Sequence, residues 1–514
     1  MNVLRGRDQR APLDLRADAV VVGSGSGGAV VARELARAGL FVVVVEEGAH
    51  HTPAQYGSYS PSTSLAKLMR ESGLSLAFGF GETPTMSVLA GKCVGGSSVV
   101  TGGVCFRIPD EVRHEWQHGL GLSGLSAEAL APLYEELERD LSVEVVPDAM
   151  RSRSTELFVM GAEKLGIPMK SLRRNMMGCK GASRCNFGCP NQAKRSVDVV
   201  MLPEVTERAG IIVSDALVER VIIREGHAVG VKGHFAPSDD GRPGESFEVH
   251  APLVVVACGS LHTPLLLRQS GLHSPHIGRH LTLHPSFRVG ALFDEDVNGW
   301  DGAMQSVYSD HYASRGITLI GAYTAPSILS AAFPGVGRAH RARVRTIPKL
   351  AFFGALIHDE PSGRIRRFFS REPFITYSMA ERDRARMWES IGILGEMAFA
   401  AGARELLLPV FGAEPLTSRE ELRAFLASPP SARRVESMSF HPLGTARMAA
   451  SKDAGVVAET GETFEVKNLF VADGSVLPSS LGVNSQLPVM TMALHIARQI
   501  VARTLARAPS KRVA

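Results

Sequence analysis

At 514 residues, with 45% hydrophobic and 21% charged side chains, the chain has an ordinary globular composition and enough length for a large core and more than one domain. Its net charge of +4 is small, part of the excess sits in a tail that reads as a frayed end (Arg503, Arg507, Lys511, Arg512), and no basic patch interleaved with aromatics points to nucleic acid. No apolar run of about 18 residues offers a membrane span, the opening MNVLRGRDQRAPLDLRAD lacks the apolar stretch of a secretory signal, which predicts the cytoplasm, and six scattered cysteines make no disulfide framework.

Asp18 to Glu47 reads as a βαβ unit: an apolar strand Ala19–Val22, a glycine turn, a helix carrying Val30, Val31 and Leu35, and a second strand Phe41–Val45. Gly23, Gly25 and Gly28 form G-x-G-x-x-G, in which the first makes the tight turn, the second lets backbone approach a pyrophosphate, and the third lets helix pack on strand. Phosphates are favoured at the helix N-terminus by unpaired N–H groups and the helix dipole. Glu46 ends the second strand where a carboxylate can accept both ribose hydroxyls of an adenosine, and Glu47 reads as a solvated strand end. The motif alone leaves NAD and FAD both open.

Residues 51–61 read as loop, and 62–80 as a packed surface segment or a mobile cover. A second glycine-dense block, GKCVGGSSVVTGGVCFR from Gly91 to Arg107, places Gly95 and Gly96 beside Ser97 and Ser98, where backbone can lie against a flat ligand or its phosphates. An acidic helix follows over 126–141, and then Cys179, Cys185 and Cys189 close together. Residues 211–233 alternate as a small β-meander turning at Glu225-Gly226. Leu253–Ala257 is a further apolar strand, leading through Cys258-Gly259-Ser260 into a helix.

From about 285 to 434 the chain changes to mixed strands with many arginines, an apolar proline-containing loop at 322–337 as a candidate pocket wall, and a helix over 380–401. The C-terminal part carries SFHPLGTARM (439–448), a strand ending in Ala472-Asp473-Gly474-Ser475, and Asn484 ahead of a long helix.

Five blocks in this order resemble the glucose-methanol-choline (GMC) flavin oxidoreductases: the fingerprint with Glu46, GKCVGGSS at 91–98, CGSLHTPLLLRQSG at 258–271, HPLGTARM at 441–448, and FVADGSVLPSSLGVNSQLPVMTMA at 470–493. CNFGCPNQAKRS, the stretch 277–310 and the helix from Glu381 look most like the long-chain alcohol oxidase group. The resemblance implies an α/β protein with a Rossmann-like FAD-binding domain from residues 1–110, 197–284 and 435–514. Interleaved with it would be an α+β substrate domain from 111–196 and 285–434, built on an antiparallel sheet. It implies FAD bordered by Gly23, Gly25, Gly28, Glu46, Gly95, Gly96, Ser97, Ser98, Thr101, Gly102, Val218, Ala257, Asp473, Gly474 and Asn484. A single dinucleotide fingerprint leaves no second site for NAD.

In this family the histidine of HP-x-GT, here His441, is the base, and the residue near the start of the last helix, here Asn484, orients the alcohol while a hydride passes to flavin N5. The implied activity is oxidation of a hydroxyl on a fairly hydrophobic alcohol, with oxygen or an electron carrier as acceptor. Asn484 has a plainer rival role as helix N-cap, and His262, His280, His284 and His495 read as structural. Two departures stand out: Thr101 replaces the asparagine of GGSSxxN, and Asn484 replaces the histidine of some relatives. Alternatives are a lyase or decarboxylase on the same fold, and a dehydrogenase whose three cysteines hold an iron–sulfur cluster. Against the cluster, C-x5-C-x3-C is not the usual ligand run, zinc lacks a fourth ligand, and reduced cysteines packing a loop are the simpler expectation.

Overall fold

The computed structural model describes residues 1–507 apart from 334, 335 and 369, and of residue 507 the backbone alone. The apolar runs at the start, middle and end of the chain come together as one sheet. Its order is Val3–Arg5, Ile211–Ser214, Val42–Val45, Ala19–Val22, Leu253–Val256 and Leu469–Val471, every neighbour parallel. AVVV and VVVV are buried at every position, as strands of a covered parallel sheet must be, and their branched side chains suit the pleat. Helices Ser26–Arg37 and Gln486–Arg507 pack together beside it. The same core takes in Trp116, Leu130, Tyr134 and Leu137 from helices Asp110–Gly119 and Ala127–Asp140, segments expected on the substrate side.

The expected meander begins only at Ala216, because Ile211–Ser214 joins the parallel sheet before the chain turns at Asp215 (φ 56°). Ala216–Arg224, His227–Phe235, Ser246–His250 and Leu13–Arg16 form a four-stranded sheet. The turn at Glu225-Gly226 has positive φ at both residues (50° and 75°), the geometry that matches the twist of paired strands.

The third sheet is mixed rather than purely antiparallel. Leu76–Gly79 runs parallel to Phe374–Tyr377, and Met86–Val88 parallel to Ser437–Ser439, so it recruits strands from both halves of the sequence. At its centre Ser286–Leu292 pairs antiparallel with Leu350–Ile357. Phe287, Val289 and Ala291 are fully buried in a core shared with Leu394 and Met397 of helix Glu381–Ala400, which turns Ser286 and Arg288 to the opposite face.

Four local expectations change. Residues 51–61 are not loop: Pro53–Ser58 is a helix with a Thr52/Gln55 capping box, and Pro61–Leu68 is a second, capped by Ser60; each proline occupies a first-turn position where its missing N–H costs nothing. The segment 62–80 ends in the Leu76–Gly79 strand. Within 322–337, Pro326–Ala332 is helical, and residues 334 and 335 lie outside the described residues. Arg503 is not frayed but pairs with Glu462 at 2.8 Å; Lys511 and Arg512 lie outside the described residues.

Candidate active site

A cavity of about 440 Å³ opens at the carboxyl ends of the parallel strands, where ligands of such sheets bind. The fingerprint glycines build its floor. Gly23 has φ 101°, and a Cβ on Gly28 would lie 1.9 Å from the Gly23 carbonyl, so turn and helix meet backbone to backbone. A Cβ on Gly25 would meet only Gly96 Cα, at 3.9 Å, leaving the helix N-terminus open to the cavity. Ser24 ties the two glycine blocks together: its Oγ donates to Glu46 Oε2 (2.7 Å) and accepts the Gly95 N–H (3.0 Å).

Glu46 accepts further N–H bonds from Ser24 and Gly48. Burial nevertheless raises its pKa above the usual carboxylate range. Glu47 is not a solvated strand end. It sits between Arg70 (2.7 Å), Lys92 (3.3 Å) and Arg371 (2.5 Å), and although burial pushes its pKa up, these cations outweigh burial and hold it well below the usual range.

Gly23, Gly25, Glu46, Gly96, Ser97, Ser98, Thr101, Val218, Ala257, His441, Asp473, Gly474 and Asn484 all line this cavity. Gly28 and Gly95 lie behind the lining, and Gly102 lines an adjoining small cavity of about 80 Å³ instead. The Asp473 carboxylate is engaged by the protein, accepting from Gly259 N (2.8 Å), Thr263 Oγ1 and Ser475; it clips the ends of two adjacent strands. Lys194, which lies in the CNFGCPNQAKRS block without having been singled out there, and Arg174, which no motif marked, support the 99–102 stretch. Lys194 Nζ donates to the carbonyls of Val99 and Thr101, and Arg174 to that of Gly102. Burial lowers Lys194 to a pKa of about 8.

His441 and Asn484, 43 positions apart, meet where the two cavities join, with Asn484 Nδ2 3.2 Å from His441 Nε2. His441 follows the Ser437–Ser439 strand and is anchored by the Leu443–Thr282 backbone pair just after it. Burial depresses its pKa to about 4, so the ring is neutral near pH 7. The long helix begins at Gln486, and Ser485 O accepts the Val489 N–H; the N-cap position is therefore Ser485, and the Asn484 side chain is free to face the histidine.

His284, fully buried with its ring centroid 5.4 Å from that of His441, accepts the Leu481 N–H on Nε2 at 2.7 Å and so fixes the loop carrying Asn484. Asp359 holds the same loop through Ser480. Among the described residues Asn484 Oδ1 and both amide atoms of Gln486 are buried without a protein partner, and both residues line the larger cavity. Open glycine backbone at one end and unmatched amides at the other fit an elongated ligand with phosphates and a polar ring edge, as FAD has.

Among the described residues no three of His, Cys, Asp and Glu are arranged to hold a metal ion. Cys185 instead accepts from Arg174 Nη2 at 2.9 Å. Burial pushes the Cys185 thiol up, but Arg174 and Lys194 outweigh burial and bring its pKa below the ordinary thiol value. The iron–sulfur alternative therefore has no ligand set in the described residues. None of their helices is long and apolar enough to cross a membrane.

Residues 17–286 and 370–493 match the amino- and carboxyl-terminal family profiles of GMC oxidoreductases. The chain is 38% identical over 500 residues to an uncharacterised GMC-type oxidoreductase of Mycobacterium tuberculosis, covering 96% of this chain and 77% of that one. It is 30% identical over 519 residues to a long-chain-alcohol oxidase of Arabidopsis thaliana, covering 95% and 67%. Among solved structures, formate oxidase of Aspergillus oryzae superposes with a TM-score of 0.71 at 16% identity, over 96% of this chain and 99% of that one. Pyridoxine 4-oxidase of Mesorbium loti gives 0.70 at 19%, over 94% and 98%. The chain belongs to the GMC oxidoreductase family, has that family's mixed α/β fold, and is a flavoprotein oxidoreductase whose cofactor is FAD.

Proposed function

We propose that this protein oxidises a hydroxyl group on a fairly hydrophobic small molecule to a carbonyl, with His441 taking the hydroxyl proton and Asn484 orienting the alcohol. The observation that carries this reading is the 3.2 Å approach of Asn484 Nδ2 to His441 Nε2 at the junction of the two cavities. FAD, when bound, accepts the hydride that leaves the alcohol carbon. The hydroxyl proton must go to the protein, and a neutral imidazole, whose Nε2 acts as an acceptor toward Asn484 Nδ2, has the lone pair to take it. The Asn484 amide N–H is then positioned to bond the alcohol oxygen as negative charge develops on it.

The fingerprint glycines, Glu46, the 95–102 block, Val218, Ala257 and the Asp473-Gly474 turn are the residues we assign to holding FAD. The smaller cavity is largely apolar, with Met69, Val100, Met304, Ile320, Leu356 and Phe440 in its wall, which supports a hydrophobic substrate. The long-chain-alcohol oxidases among its relatives support an alcohol, with oxygen or an electron carrier as final acceptor. The test is anaerobic mixing of holoprotein with a broad alcohol panel while flavin absorbance is followed. Bleaching by at least one alcohol is expected. A panel that leaves the flavin oxidised while a redox-neutral elimination or decarboxylation proceeds would replace oxidation with lyase chemistry.

A further inference from the structure

Among the described residues, one cation on the substrate-side cavity has no anion to answer it. Arg288 stands in the Ser286–Leu292 strand on the face opposite Phe287 and Val289, across the ladder from Gly354, and both residues line the cavity. Two of its donors reach Thr324 Oγ1 and Met438 Sδ, a hydroxyl and a weak thioether acceptor. Among the described residues no Asp or Glu oxygen lies within 4.0 Å of it, and the carboxylate it senses, Glu436, is exposed.

Other buried arginines are answered: Arg33 lies against Asp140, Arg70 against Glu47, and Arg174 against the Cys185 sulfur. A desolvated, unpaired charge is costly wherever it stands, and burial indeed presses the Arg288 pKa below its ordinary value. At a cavity wall that cost is relieved by whatever anion enters, and a planar guanidinium fork is suited above all to a carboxylate.

We propose that Arg288 binds a carboxylate carried by the substrate, so that the molecule oxidised is a hydroxy acid. Its hydroxyl meets His441 and Asn484, a short apolar stretch lies along Ile320 and Leu356, and its carboxylate rests on the guanidinium; all five residues line the same cavity of about 80 Å³. This assignment rests on alcohol oxidation at the His441 and Asn484 pair and narrows its substrate class.

The test has a binding arm and a turnover arm. Holoprotein is titrated by calorimetry with straight-chain carboxylates from acetate to hexanoate and with 1-alkanols of equal length. Anaerobic flavin reduction is then compared for ω-hydroxyalkanoates and the same alkanols. At least one carboxylate should bind about tenfold or more tightly than its alkanol, Arg288→Met should erase that preference with flavin content unchanged, and Arg288→Lys should keep part of it. Equal binding of carboxylates and alkanols by the unmodified protein, which needs no variant to fold, overturns the assignment, as does a preference that survives Arg288→Met. Carboxylates that bind through Arg288 while no hydroxy compound bleaches the flavin uphold the anion site and defeat the alcohol reading alone.

Discussion

The two sides of the cavity are built by different means. On the nucleotide side backbone meets backbone: a Cβ on Gly27 would lie 1.9 Å from the Ala472 carbonyl, and one on Gly96 would lie 2.8 Å from Gly25 Cα. On the substrate side, wall residues such as Arg288, Gln305 and Tyr323 project from sheet strands and loops, and glycines there often face side chains. A Cβ on Gly321 would meet nothing nearer than the Phe158 ring at 3.4 Å. Where the main chain is itself the binding surface, residue choice is nearly dictated; where side chains form the wall, many choices fold.

The largest effect should break that contrast if it is wrong. Gly27→Val drives two methyls toward a backbone carbonyl that cannot swing aside, and overpacking against backbone exceeds the few kcal/mol typical of core insertions. We expect flavin content below about a tenth of normal, read from the flavin-to-protein absorbance ratio, with a lowered melting temperature. Gly321→Ala, an ordinary contact with a ring, should change stability by under about 1 kcal/mol and leave flavin bound. Equal tolerance at both positions would show that the close approaches do not constrain the fold.

His441 follows a strand of the mixed sheet, while Asn484 precedes the long helix that packs beside the parallel one, so the pair sits at the seam between the two sides. His441→Ala should slow flavin reduction about 10²- to 10⁴-fold without loss of FAD. In the unmodified protein burial has lowered the histidine pKa to about 4. The base is therefore available above that value, and the reductive rate should fall only as pH drops through about 4, not through the ordinary histidine range. An acid limb near the ordinary imidazole value of about 6.5 would mean that the ring is solvated in the working enzyme.

What the sequence made legible follows the same division. The valine runs, the fingerprint turn, and the pairing of His441 with Asn484 were readable because each depends on local pattern or on a motif whose residue types are constrained. Arg288 and Asp359 were not, since nothing in HPSFRV separates a cavity-facing arginine from a solvated one until the Leu350–Ile357 strand is placed beside it; His284 reads from sequence as structural, and only the fold shows that the loop it holds is the one before Asn484. Thr52-Pro53 and Ser60-Pro61 looked like turns because cap and breaker residues are the same residues. Leu76–Gly79 finds its parallel partner at Phe374–Tyr377, far beyond the reach of periodicity. Glu47 looked solvated because Arg70 and Arg371 approach it from distant segments.

The smallest of these effects concerns the clip that joins the two sides. Asp359, 1% exposed, accepts from Leu283 N (2.9 Å), His284 N (3.1 Å), Ser480 Oγ (2.9 Å) and Tyr377 OH (2.7 Å). It therefore fixes both the buried histidine and the loop leading to Asn484. Burial raises its pKa to about 6 despite those bonds. A carboxyl with a folded pKa above its unfolded value holds its proton in the native state while the unfolded chain has already released it. Native stability therefore falls as pH rises from about 4 through about 6, by about 3 kcal/mol for a shift of two units. Asp359→Asn cannot titrate and turns an amide N–H₂ toward groups that donate, so it should be less stable at low pH. Its deficit should then shrink by about that amount on going to pH 7, as read from urea midpoints of both proteins across the range. Parallel pH profiles for the two would mean that Asp359 is ionised throughout, and that its four donors, rather than burial, set its charge.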